Sequence, residues 1–224
     1  MEVKKAKSQQ QKQHRINTIL NSAELLFEQG ATGELPSAIQ IANQAEVAKG
    51  TLYIYFRTKE AIFLGVLERH LQNWIADFDR QLRQYESVTS VDVINYLTSY
   101  WREHAIVGEL ARLLDSNLEL NVEDKVFSNF QTKIINDLKR IVPSFSSLNK
   151  EVDSAQWLQL LQLTFQLLTV AWQQAHPRRP MLGVEAPEFY PAAEKLLMPF
   201  WQSLMEFKKE QPKAKSGWRK FLGN

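Results

Sequence analysis

Residues 45–63 read AEVAKGTLYIYFRTKEAIF, and how this stretch is placed decides the fold. On a helix advancing about 100° per residue, Leu52 and Phe56 share one face. Gly50, Ile54 and Arg57 take the opposite face, flanked by Thr51 and Tyr53. The first pair marks a core side. The other side collects a glycine, a phenol, a hydroxyl and cations. A glycine inside a helix costs about 1 kcal/mol relative to alanine. Turned outward in a first turn, it lets the backbone approach another surface closely. Hydroxyls of Tyr and Thr, Lys ammonium groups and helix N-terminal amides are the groups that hold DNA phosphates. Packing alone is the alternative reading of Tyr53 and Tyr55.

The flanking segments supply the rest of a motif. Ile16, Ile19, Leu20, Ala23, Leu26 and Phe27 follow the i, i+3, i+4 rule, which predicts a helix over 13–29 stopped by Gly30. Residues 37–44 form a short helix with Ile41 inward. A short helix, a tight turn and a helix with a polar outer face make a helix-turn-helix. From Lys59 a long helix follows, its buried side marked by Phe63, Val66, Leu67, Leu71, Trp74, Phe78, Leu82 and Tyr85. Further helices are predicted near 91–104, 106–119, 121–142, 152–176 and 191–208. Thr89 and Asp92 stand at capping-box spacing, and Asn121 and Asp124 suggest another cap. Pro191 suits a first helical position, Pro199 should kink the last helix, and residues 143–149 read as a loop. The fold class is all-α: an N-terminal three-helix helix-turn-helix domain joined through a long helix to a C-terminal helical bundle. The expected division is 1–58 and 59–224.

Composition narrows the chemistry. The chain of 224 residues has no cysteine, which excludes disulfides, zinc–thiolate sites and thiol catalysis. None of the four histidines (14, 70, 104, 176) follows a glutamate by three residues, so the Glu-x-x-His pattern of helical di-metal sites is absent. No phosphate-binding glycine loop or nucleophile motif occurs. The expectation is a non-enzyme with no catalytic residue, no metal and no cofactor. The first fifteen residues lack the apolar centre of a secretory signal, and no run reaches the roughly 18 apolar residues of a membrane span. A cytoplasmic protein with no membrane partner is expected.

Net charge is +2, but residues 1–15 carry +4 and residues 208–224 carry +5, leaving −7 between them. Basic ends on an acidic body suit a polyanion partner; plain solvated tails are the alternative. Between residues 16 and 70 the balance is −2, so the basic N-terminal arm, Lys4 to Arg15, is expected to add phosphate contacts.

Residues 15–67 resemble the TetR family of bacterial transcriptional regulators. The resemblance runs through ILNSAELLFEQG (19–30), SAIQIANQAEV (37–47) and KGTLYIYFRTKEAIF (49–63). It implies a homodimer that binds a pseudo-palindromic double-stranded DNA operator, most often as a repressor released by a small-molecule effector. By position, Lys49, Gly50 and Thr51 would lie at base edges or phosphates. Tyr53, Tyr55 and Lys59 would contact phosphates, and Ser37 and Gln40 would hold the backbone from the preceding helix. Ile54 is a candidate for a thymine methyl. Two positions depart from the family: Glu46 stands where a turn glycine is usual, and Ala48 where Ser or Thr often caps the helix.

In this family the second domain binds the ligand and dimerises through its last two helices, here the segments around 157–172 and 192–207. An apolar or aromatic effector is expected, with Tyr100, Trp101, His104, Phe130, Gln162 and Phe165 as candidate contacts, although aromatics at helical spacing also serve as plain core. The competing function is a DNA-binding or interaction protein with the same helix-turn-helix and no effector.

Overall fold

The computed structural model describes residues 2–30, 33–84, 87–180 and 182–206; for residues 2–8, 146 and 147 it describes the backbone alone. Tyr85 and the basic C-terminal segment 208–224 lie outside the described residues. The described chain is helical and has no strand.

Helix α1 spans Glu2–Gln29. It starts well before the apolar pattern does, because Lys, Gln and Ala sustain a helix without packing. The segment expected as an arm is therefore the first turns of α1, and residues 9–15 are exposed on it. Helix α2 is Ala38–Gln44, and α3 is Lys49–Tyr55. Ile19, Ala23, Ile41 and Leu52 are buried between these helices, and Phe27 packs on Phe63 at 5.6 Å.

Helix α4, Lys59–Arg83, is capped by the Thr58 hydroxyl, which accepts from the Ala61 amide at 3.1 Å. Its two ends serve different cores. Ile62 and Phe63 pack against α1, while Phe78 meets Phe145 and Trp201 at 5.8 and 6.2 Å. Helix α5 is Ser90–Glu103, and Thr89 and Asp92 close the expected capping box. Helix α6 is short, Ala105–Ala111. The predicted continuation to 119 instead breaks into a π turn, Leu114–Leu118, and a 3-10 turn, Glu119–Asn121.

Helix α7 is Asp124–Ile141. Its N-cap is Glu123 rather than Asn121, whose amide instead donates to the Asn117 carbonyl at 2.8 Å. Residues 142–147 form a 3-10 helix that takes up most of the expected loop. Helix α8, Ser154–Ala175, opens with an Asp153–Gln156 capping box, and α9 spans Phe189–Met205. Pro191 sits third in α9, still within the turn whose amides lack helical partners. Trp157, Trp201 and Phe145 form the centre of the second domain, where the Trp201 indole donates to Thr164 Oγ1 at 3.0 Å.

Candidate nucleic-acid interface and ligand cavity

The second helix of the motif begins without a side-chain cap, since Ala48 has no hydroxyl to offer. The turn before it is strained. Glu46 has φ +51°, the left-handed region where a glycine is at home. A non-glycine residue there costs about 1–2 kcal/mol. Glu46→Gly is thus expected to raise stability by about 1 kcal/mol, net of the glycine's entropy. It also removes a carboxylate from beside the expected phosphates, so operator affinity should rise severalfold. A thermal melt and an anisotropy titration check both, and a lower melting temperature would contradict the strain argument.

Helix α3 turns Leu52 fully inward and leaves Lys49, Gly50, Tyr53 and Ile54 exposed, Ile54 at 79%. The Lys49 ammonium lies 5.9 Å from the Tyr53 ring centre. A groove beside them is lined by Ser37, Ile39, Lys49, Tyr53, Arg57 and Lys59. It gathers four of the residues expected at DNA and adds Arg57. Ser37 and Gln40 are exposed but engaged: Ser37 Oγ donates to Gln40 Oε1 at 2.8 Å and accepts from the Gln40 amide at 3.3 Å. Lys59 is half-buried, with its ammonium donating to the Leu35 carbonyl at 3.4 Å.

Tyr55 does not share this face. Two residues on a helix are about 200° apart, so while Tyr53 borders the groove, Tyr55 packs against the core and opens onto a cleft between the two domains. Phe56, expected in the core with Leu52, packs against it half-buried and is extended at φ −137°, already beyond the helix.

The second domain holds a half-open cavity of about 540 Å³. Trp74 of α4, Leu114 and Asp115 of the π turn, Phe127 and Phe130 of α7, and Gln162 and Phe165 of α8 line it. Phe130 also borders the interdomain cleft, so one side chain forms a wall of both spaces. Across that cleft Arg57 pairs with Glu123 at 3.1 Å, and Glu68 with Lys133 at 2.7 Å.

Residues 19–66 match the bacterial regulatory proteins of the tetR family, and residues 68–207 match the tetracyclin repressor-like C-terminal domain. The chain belongs to the TetR family of transcriptional regulators. Its fold is similar to that of the fatty acid degradation regulator FadR from Bacillus halodurans, at 16% identity and TM-score 0.53 over 88% of this chain and 97% of that one. It is also similar to a TetR-family regulator from Mesorhizobium loti, at 14% identity and TM-score 0.55 over 84% and 96%. FadR from Bacillus subtilis, solved with stearoyl-CoA, aligns at 18% identity and TM-score 0.52 over 82% and 96%. No curated protein matches the sequence.

Within this TetR-family chain the expected ligand residues fall in three places. Phe130, Gln162 and Phe165 meet at the cavity. Trp101 is wholly buried core, packed among Trp74, Phe165, Trp172 and Phe189. Tyr100 and His104 lie with their rings 4.2 Å apart on a shallow recess between α1, α4 and α5. The sequence reading missed the π-turn acid Asp115. Gln166 and Gln173 line the cavity too, and polar residues spaced along an apolar helix were the signal available for them.

The recess holds the polar link between domains. Glu24 of α1 pairs with Arg69, and its Oε1 lies 2.9 Å from His70 Nε2; His70 Nδ1 lies 3.0 Å from the Tyr100 hydroxyl. The His70 hydrogen bond, then the charges of His70 and Arg69, hold the Glu24 carboxyl below its ordinary value against the opposing effect of burial. A folded-state value below the unfolded one gives stability that is present above about pH 4.5 and is lost as pH falls through the folded value. Glu24→Gln is expected to cost about 1–3 kcal/mol at neutral pH and to flatten the acid limb of stability against pH. Urea melts between pH 3 and 7 would show this; an unchanged acid limb would place that pH dependence elsewhere.

Among the described residues no group of three candidate ligands is placed to hold a metal, and no helix is long and apolar enough to cross a membrane.

Proposed function

We propose that this regulator is a homodimeric repressor that leaves its operator when a small apolar or aromatic effector enters the second-domain cavity. The observation that carries the reading is the shared wall. Phe130 borders the cavity on one side and, on the other, the cleft where Arg57 of the recognition segment meets Glu123 of α7. A ligand that displaces Phe130 shifts the helix to which the DNA-reading end is tied. Allosteric coupling of about 1–3 kcal/mol is all such a switch needs. A cavity of this size argues against a regulator without an effector, and the stearoyl-CoA complex of the similar Bacillus subtilis protein is in keeping with a ligand in this domain.

At the DNA, α3 enters the major groove with Lys49, Gly50 and Thr51 nearest the bases and Ile54 against a thymine methyl. Tyr53 and Lys59 hold phosphates, with Ser37 and Gln40 keeping α2 at the backbone; Tyr55 drops out of the set because its ring packs inward. Dimerisation uses α8 and α9, where Val170 and Phe200 are exposed and Leu167 and Leu196 half-exposed. Selection of bound sites from random DNA tests the reading. The expected product is an inverted repeat with half-sites a whole number of helical turns apart, and a single unrepeated site, or a monomeric mass in solution, would contradict it.

The first turns of α1 supply the missing positive charge. Deleting residues 1–12 removes four lysines and one glutamate. Operator affinity should fall about tenfold, and the slope of log K against log salt should shrink by about 2–4. An equal slope in the truncated and full chains would remove these lysines from the interface.

A further inference from the structure

We infer that the effector is an organic cation with a broad apolar or aromatic body, of the quaternary phosphonium, quaternary ammonium or protonated amine class. The inference rests on the reading of the second-domain cavity as the effector site and adds the charge of its occupant.

The first argument is the sign of the lining. Among the described residues the charged side chains on the cavity wall are Asp115 and Glu119, and no Lys, Arg or His lines it. The other polar groups are neutral: four glutamines and Thr169. The second argument is where the neighbouring cations go. Arg112, one turn before Asp115, donates to Glu109 at 3.3 Å and to the His176 carbonyl at 2.6 Å. On α7, Lys133 is held by Glu68 and Arg140 by Asp137. These cations are drawn away from the cavity, while among the described residues no hydrogen bond or ion pair engages either acid. Both acids are exposed at the cavity lining, open to a bound cation.

The third argument is the backbone that presents them. Asp115 lies in the π turn and Glu119 opens the 3-10 turn after it. Turns of this kind break the regular ladder and recur at functional sites. Here the break sets Leu114 and Asp115 at the cavity instead of continuing α6. The fourth is the aromatic wall of Trp74, Phe127, Phe130 and Phe165. The negative faces of such rings attract cations. An acyl-CoA presents the opposite chemistry: its phosphates require cations, and this cavity offers none.

Tetraphenylphosphonium and tetraphenylborate form the decisive pair, because they match in shape and differ in charge. Binding is read from quenching of tryptophan fluorescence and from operator release, using the full-length protein. The cation is expected to bind tighter than the anion by about tenfold to a hundredfold, the sum of two exposed carboxylates and the ring faces. In the Asp115→Asn/Glu119→Gln double variant the preference should shrink to about threefold; both positions are exposed, so folding is undisturbed. Equal or tighter binding of the borate or of stearoyl-CoA, or a preference that survives the double variant, overturns the charge assignment while leaving the cavity as the effector site. Binding that is indifferent to Gln162→Trp, which sets a bulky ring on the cavity wall, overturns the site itself. Failure of all three probes to bind overturns the inference.

Discussion

Replacing Gly50 by alanine is expected to yield a more stable protein that has lost most of its operator affinity. A Cβ built at this glycine meets no atom within 4 Å, so the fold has no steric use for the missing methyl. Alanine is a better helix former by about 1 kcal/mol, somewhat less in a first turn, and the melting temperature should rise by about 2 °C. The same methyl would stand on the exposed face between Lys49 and Tyr53, where the backbone is proposed to lie against DNA. Loss of close contacts there costs about 1–3 kcal/mol, roughly tenfold to a hundredfold in affinity. Calorimetry and an anisotropy titration read the two effects separately. If stability rises and affinity does not fall, α3 does not approach DNA through Gly50.

Gly108→Ala is expected to do the opposite and damage the fold. Here the added Cβ would sit 2.0 Å from Trp172 Cδ2. Trp172 cannot step aside. Its indole donates to Glu109 Oε1 at 2.9 Å, it stacks on His176 at 3.9 Å, and it meets Phe189 at 5.2 Å. The helices α6 and α8 must therefore separate, and overpacking of this kind costs about 1–3 kcal/mol or more. At the severe end the melting temperature falls by about 6–12 °C in a chain of this size. Because Ala111 and Leu114 follow Gly108 into the cavity wall, the variant should also weaken effector binding. A Gly108→Ala protein with unchanged melting temperature would mean that α6 and α8 are free to part at little cost.

These two glycines were not equally legible. Gly50 could be placed outward from a helical wheel, because its neighbours Leu52 and Ile54 differ sharply in polarity of setting and a local rotation of 100° per residue decides the side. Gly108 carries no such signal; its meaning comes from a tryptophan 64 positions later. The same division runs through the candidate sites. Glu46 stood out through the family resemblance, which places a glycine at that turn, and the structure gives it the positive φ that a glycine would take. Tyr55 was grouped with Tyr53 by its hydroxyl, although two residues on a helix stand about 200° apart. Tyr100, Trp101 and His104 looked like ligand contacts, but the last turn of α5 and its C-cap face a recess and a core, and the cavity opens on the other side of α4.

The amino-acid sequence by itself determined the all-α class, the helix-turn-helix and the order of the helices. All of these follow from interactions within about a turn of the chain: periodicity, caps and backbone preference. Only the tertiary structure decided that Phe130 is shared between cavity and cleft, that Arg57 reaches Glu123, and that Asp115 and Glu119 stand at the mouth without a cation. Those facts depend on how far one helix slides and turns against another. Close packing of side chains from several helices sets that displacement, and no single segment encodes it.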